Sequence, residues 1–188
     1  MSESERFSRA CEEFSRLHAT DPRGEAATYH ETVASWVDRL EPHASEALRL
    51  AARCQHLLRF QTPRESYPSG VVGYKRWRSE LARKQAAAAA EILRAAGFDE
   101  ALTARVADLV MKKGLAADRE TKVLEDAVCL TFLELELERF AAKHPDEKVV
   151  DILGKTWRKM TPAGHEAARK LARGLPVRLT TLLAMVID

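Results

Sequence analysis

Between Leu50 and Leu81 the sequence reads LAARCQHLLRFQTPRESYPSGVVGYKRWRSEL, and this stretch gathers the side chains best suited to holding charge. An apolar helical run delivers His56 and Arg59 to a Pro- and Gly-rich loop carrying Arg64, Ser66 and Tyr67. The next helix opens with Tyr74, Lys75, Arg76, Trp77 and Arg78. Free backbone N–H groups and the dipole at a helix N-terminus already favour an anion, and guanidinium groups add contacts matched to phosphate geometry. Arg59, Arg64, Tyr67, Lys75, Arg76 and Arg78 are therefore candidate ligands for a small anionic or phosphorylated molecule. The competing reading is a solvated basic helix face paired with Glu65 and Glu80.

A second constellation is LEDAVCLTFLE at 124–134, which places Glu125 and Asp126 inside an apolar helix. Adjacent helical positions point about 100° apart, so one carboxylate can face a pocket while the other faces a flanking helix. A buried acid there needs a metal, a cation or helix-end donors. Just upstream, Lys112 suits the C-terminal dipole of its helix, whereas Lys113 is the candidate to enter the cavity and meet Asp126 or a phosphate. His30 follows Tyr29 on an earlier helix as an inward candidate; His43, His144 and His165 sit beside Pro or Gly breaks.

The elements that must position these groups are helical. Alanine and leucine dominate and only 6% of residues are aromatic, which favours helices over sheets. Apolar spacing predicts helices over 4–19, 25–41, from Ser45 to Phe60, and from Tyr74 to Ala96 with Gly97 as the stop. Further helices run from Asp99 to Gly114 and from Asp118 or Thr121 to about Lys143. After His144-Pro145-Asp146 come two more, about 147–159 and 162–174, then Pro176 and an apolar tail that docks on the core. The expectation is an all-α bundle of about eight helices: residues 1–145 as the main domain, and 146–188 as a C-terminal helical extension packed on it. The long loop at 61–73 is of the length at which functional loops become common.

Composition narrows the function classes. A net charge of +2 with mixed signs leaves no global basic footprint for nucleic acid. The three cysteines, Cys11, Cys54 and Cys129, are odd in number and widely spaced, as expected of reduced thiols in a cytoplasmic protein. Met1–Ala10 is too polar for a signal peptide, and no apolar run approaches the roughly 18 residues of a membrane span. Gly-rich phosphate loops, the dinucleotide fingerprint, H-E-x-x-H and zinc-type Cys patterns are all absent.

LAARCQHLLRF, the PRESYP loop, GYKRWRSEL and LEDAVCLTFLE together resemble an uncharacterised family, a domain of unknown function some of whose members carry a glutamyl-tRNA synthetase label. The order of His30, His56 and Asp126 also resembles the HD-domain phosphohydrolases, in which a first His, an adjacent His-Asp pair and a distant Asp hold metal. That resemblance implies an HD-domain-like fold and one divalent metal ion on His30, His56 and Asp126, with His56 and Asp126 as catalytic residues. Leu57 stands where the pair's Asp would be, and Lys113 occupies a place where related helices often supply a histidine. Three readings stay open: a metal-dependent phosphohydrolase, a non-catalytic anion- or nucleotide-binding module with a degenerate metal site, and an interaction module for acidic proteins or RNA.

Overall fold

The computed structural model describes residues 2–187, and among these every regular element is helical. In chain order the helices are α1 (Glu3–His18), α2 (Ala26–Leu40), α3 (Glu46–Cys54), α4 (Gly70–Ala95), α5 (Glu100–Val110), α6 (Arg119–Thr131), α7 (Leu137–Ala141), α8 (Asp146–Trp157), α9 (Pro162–Ala172) and α10 (Val177–Ala184). A π-helical turn, Phe132–Glu136, joins α6 to α7 without a break. The ten helices exceed the expected eight because that turn divides one predicted helix and the apolar tail forms α10.

Local chemistry starts the helices where the sequence places capping residues. Ser45, Asp99, Asp118 and Thr161 each accept a backbone N–H of their own first turn, and Ser2 with Glu5 forms a reciprocal capping box. The small side chains Ala86, Ala89 and Ala90 are buried, giving α4 a thin face at its extensive packing with α5. The other large contacts join α2 to α6 and to α3, and α3 to α5.

One apolar core runs from Ala10 and Phe14 of α1 to Leu182 and Leu183 of α10. It includes Val149, Leu153 and Trp157 of α8, so residues after 145 share the core of the preceding helices. Arg178 strengthens that attachment by bonding the Ala141 carbonyl and the Asp146 carboxylate.

Three boundaries differ from the sequence expectation: the end of α3, the start of α4, and the end of α5, which stops at Val110 and not at Gly114. Helix α3 ends at Cys54 and not at Phe60, because Leu58 takes a left-handed conformation (φ 55°) while Leu57 turns into the core at 1% exposure. Helix α4 begins at Gly70, four residues before Tyr74. Its first turn lies tight against the loop: a Cβ on Gly73 would stand 1.9 Å from the Pro68 carbonyl oxygen, so glycine is required there.

Candidate functional site

The loop 55–69 is held by its own side chains. Arg64 donates to the carbonyls of Tyr67, Pro68 and Gly70, and the buried Trp77 indole donates to the Thr62 carbonyl at 2.9 Å. Tyr67 donates its hydroxyl to Glu80 at 2.8 Å, and Arg76 pairs with the same carboxylate at 2.7 Å. Arg64 and Tyr67 therefore brace the loop against α4, while Arg76 makes an exposed pair within α4 itself. Arg76 follows the paired-face reading, and none of the three lines the cleft described next.

With the loop fixed, Arg59 and Arg78 are supported by aromatic rings. The Arg59 guanidinium lies 5.2 Å from the Trp77 ring centre; Arg78 lies 5.9 Å from that of Tyr74 and donates to its hydroxyl at 3.2 Å. Such stacking leaves the edges of a guanidinium free to donate. Both arginines and Lys75 line a cleft of about 910 Å³. Its remaining cations are Lys112, from the turn after α5, and Lys155, Arg158 and Lys159, from α8 and the residues directly after it. Tyr29, Val128, Cys129, Phe132 and Ile152 supply apolar and aromatic surface, while Glu125 and Glu136 are its two carboxylates.

Glu125 is buried and bonded by Lys112, with the Lys159 ammonium 3.7 Å away. Burial pushes its carboxyl up, but Lys112, together with Lys159 and Arg78 behind it, holds it below the ordinary carboxylate range. Glu136 lacks so close a cation, and burial raises it. The Cys129 thiol is pushed up to about 12, first by burial and then by Glu125, so it stays protonated and unreactive at neutral pH.

The roles of two adjacent pairs are reversed relative to expectation. Glu125, not Asp126, faces the cleft; Asp126 is buried against α9, where it accepts the Thr161 N–H at 2.8 Å and the Thr161 hydroxyl. Gly164 allows that approach, since a Cβ there would lie 2.5 Å from Asp126 Oδ1. Lys112, not Lys113, enters the cleft, because Lys112 takes a left-handed turn (φ 57°) at the end of α5. Lys113 pairs with Asp108 on the surface at 2.6 Å.

His56 lines the cleft, its ring stacked on Tyr29 with centres 5.2 Å apart. Its Nε2 lies 3.4 Å from the Arg59 guanidinium, a group that only donates, so this nitrogen is unprotonated. Burial and then Arg59 drive its pKa well below the ordinary histidine value, which keeps the ring neutral. His30 lies beneath it, 3% exposed, with its ring stacked on His18 at 3.7 Å. Its Nδ1 is 2.6 Å from the Ala26 carbonyl and its Nε2 accepts the His56 backbone N–H at 3.3 Å. Both nitrogens are thus engaged, and the tautomer is fixed with the proton on Nδ1.

The three expected metal ligands do not fit one shared ion. A ligating nitrogen must offer a lone pair to the metal, and the one His30 retains is taken by the His56 backbone. Asp126 is turned to α9. Among the described residues no three His, Cys, Asp or Glu side chains form a group able to hold a metal.

The α8 contribution was missing from the sequence reading, although a signal existed. Ile152, Lys155, Thr156 and Lys159 recur at helical spacing, and all four line the cleft. Basic residues around Trp157 also repeat the pattern around Trp77.

Fold and site together define an all-α protein with a cationic, aromatic-buttressed cleft lined on its C-terminal side by α8. The chain belongs to the family DUF4202, a domain of unknown function, whose model matches residues 8–183. No curated protein and no solved structure matches it. Among the described residues no helix is long and apolar enough to cross a membrane.

Proposed function

We propose that this protein is a binding module for a small phosphorylated or otherwise anionic molecule, taken up in the cleft between the α4 and α8 regions. The observation that carries this reading is the charge imbalance: seven cations face two carboxylates in one cavity. Glu125 engages Lys112 and Lys159, and Asp151 engages Lys155 at 2.7 Å. Among the described residues, Arg59, Lys75, Arg78 and Arg158 have no carboxylate at ion-pair distance. A bound anion supplies what the protein withholds. The organic part of the ligand rests on Tyr29, Val128 and Phe132.

Binding is favoured over metal-dependent phosphohydrolysis because that chemistry needs an ion shared by His30, His56 and Asp126. The order of those residues supports a distant HD-type scaffold whose metal set has lapsed, with Leu57 given over to the core. Three free cysteines support a reducing, cytoplasmic setting.

Thermal-shift titration with inorganic phosphate and nucleotides tests the reading. The unfolding midpoint rises with anion in the wild type and in Arg76→Ala, and the rise is lost in the Arg59→Ala/Arg78→Ala double variant. An unchanged midpoint with every anion rejects it.

A further inference from the structure

We infer that the ligand is a polyphosphate chain, two or more linked phosphoryl groups, gripped from two sides of the cleft, as in a nucleoside di- or triphosphate. This deepens the anion-binding reading and rests on it. One wall is Arg59, Lys75 and Arg78, from the 3-10 turn after α3 and from α4. The other is Lys155, Arg158 and Lys159, at the end of α8. These walls come from parts of the chain about eighty residues apart.

Three observations point to a chain of phosphates in preference to one. First, seven cations against the two lining carboxylates, with Lys155 also paired to Asp151, leave an excess of about four positive charges. A phosphate monoester carries roughly two negative charges at neutral pH and leaves about half of that excess unmatched, while a triphosphate brings about twice as many. Second, among the described residues, the cleft cations with no carboxylate at ion-pair distance stand on both walls: Arg59, Lys75 and Arg78 on one, Arg158 on the other. A single phosphate satisfies one wall and leaves the other facing uncompensated charge. Third, a cavity of about 910 Å³ is in the range that encloses a whole organic ligand, not one oxyanion.

The buried Glu125 adds selectivity. It engages the largely buried Lys112 and lies 3.7 Å from the half-exposed Lys159, so a single anion between these two lysines must compete with its carboxylate. Arg78 and Arg158 are cleft-lining guanidinium groups contributed by α4 and by the end of α8, one from each wall.

Isothermal titration at about physiological salt, without added metal, tests this with inorganic phosphate, tripolyphosphate and adenosine triphosphate. The expected result is that tripolyphosphate binds at least tenfold more tightly than inorganic phosphate. Arg78→Ala and Arg158→Ala should each weaken tripolyphosphate about tenfold, while Arg76→Ala, which lies outside the cleft, leaves it unchanged. Adenosine triphosphate binding more tightly than tripolyphosphate identifies a nucleoside ligand using the apolar floor; equal or weaker binding identifies a free polyphosphate, and both sustain the polyphosphate assignment. Equal affinity for inorganic phosphate and tripolyphosphate overturns the assignment but leaves the anion cleft standing. So does an Arg158→Ala variant with undiminished tripolyphosphate affinity, or an Arg76→Ala loss as large as that of Arg158→Ala, which would mark bulk charge. No measurable binding of any of the three anions overturns both readings. Circular dichroism of each variant establishes that lost binding is not lost folding.

Discussion

The Nε2 of His30 accepts a hydrogen bond from the backbone N–H of His56 at 3.3 Å, so the two histidines most suggestive of a metal site are bonded to each other. The bond runs from the turn after α3 to the interior of α2 and sets the chain direction at the mouth of the cleft. His30 is a support for the site and His56 its surface.

Acid should weaken this support. Burial, with His18 beside it, lowers the His30 pKa from 6.5 to about 3. The unfolded chain therefore takes up a proton near pH 6.5 that the folded chain refuses until about pH 3. The stability that depends on neutral His30 is complete above pH 6.5 and is lost progressively as pH falls toward 3. His18 and His56 are displaced in the same direction. Urea unfolding should give a lower midpoint at pH 5 than at pH 7.5; equal midpoints would contradict a neutral buried His30.

Lys112 and Lys113 should behave very differently when changed. Lys112→Met leaves Glu125 buried with the more distant Lys159 and Arg78 as its remaining cations. Breaking one side of a buried pair costs about 3–5 kcal/mol. The exposed Lys113–Asp108 pair has no such role, and Lys113→Met should leave the unfolding midpoint almost where it was. Chemical denaturation of the two variants side by side checks the contrast.

Gly164→Ala should loosen the attachment of α9 to α6. The added methyl would sit 2.5 Å from Asp126 Oδ1, too close for any side chain, so Asp126 must release Thr161 or the helix must move. A loss of about 1–3 kcal/mol follows from overpacking of this kind. Hydrogen exchange should locate the extra opening in α9 and not in α4.

Gly73→Ala makes the complementary test at the cleft. A methyl 1.9 Å from the Pro68 carbonyl oxygen forces the loop off the first turn of α4 and shifts Tyr74, on which Arg78 rests. Anion-induced stabilisation should fall with it. A variant that is destabilised but keeps the full anion response would show that the loop does not position Arg78.

Much of this protein was legible in its sequence. Apolar spacing, capping residues and Pro or Gly stops located the helices, and Arg59, Lys75 and Arg78 of the contiguous cation-rich run line the cleft. The early end of α3 was not legible, since Leu57 and Leu58 continue a helical apolar pattern that only core packing interrupts. Nor could spacing choose between Glu125 and Asp126, or between Lys112 and Lys113. Neighbours in a helix point about 100° apart, and the rotation of each helix about its axis is set by what it packs against. Here α6 packs on α2 and α9, which turns Asp126 to Thr161 and leaves Glu125 for the cleft. The second cationic wall depends wholly on tertiary structure, for Arg158 and Lys159 line the same cleft as Arg59 and Arg78 only because Val149, Leu153 and Trp157 bury α8 in the shared core. Sequence determined which charges this chain carries and on which helices; burial of the apolar faces decided which of them share a cavity.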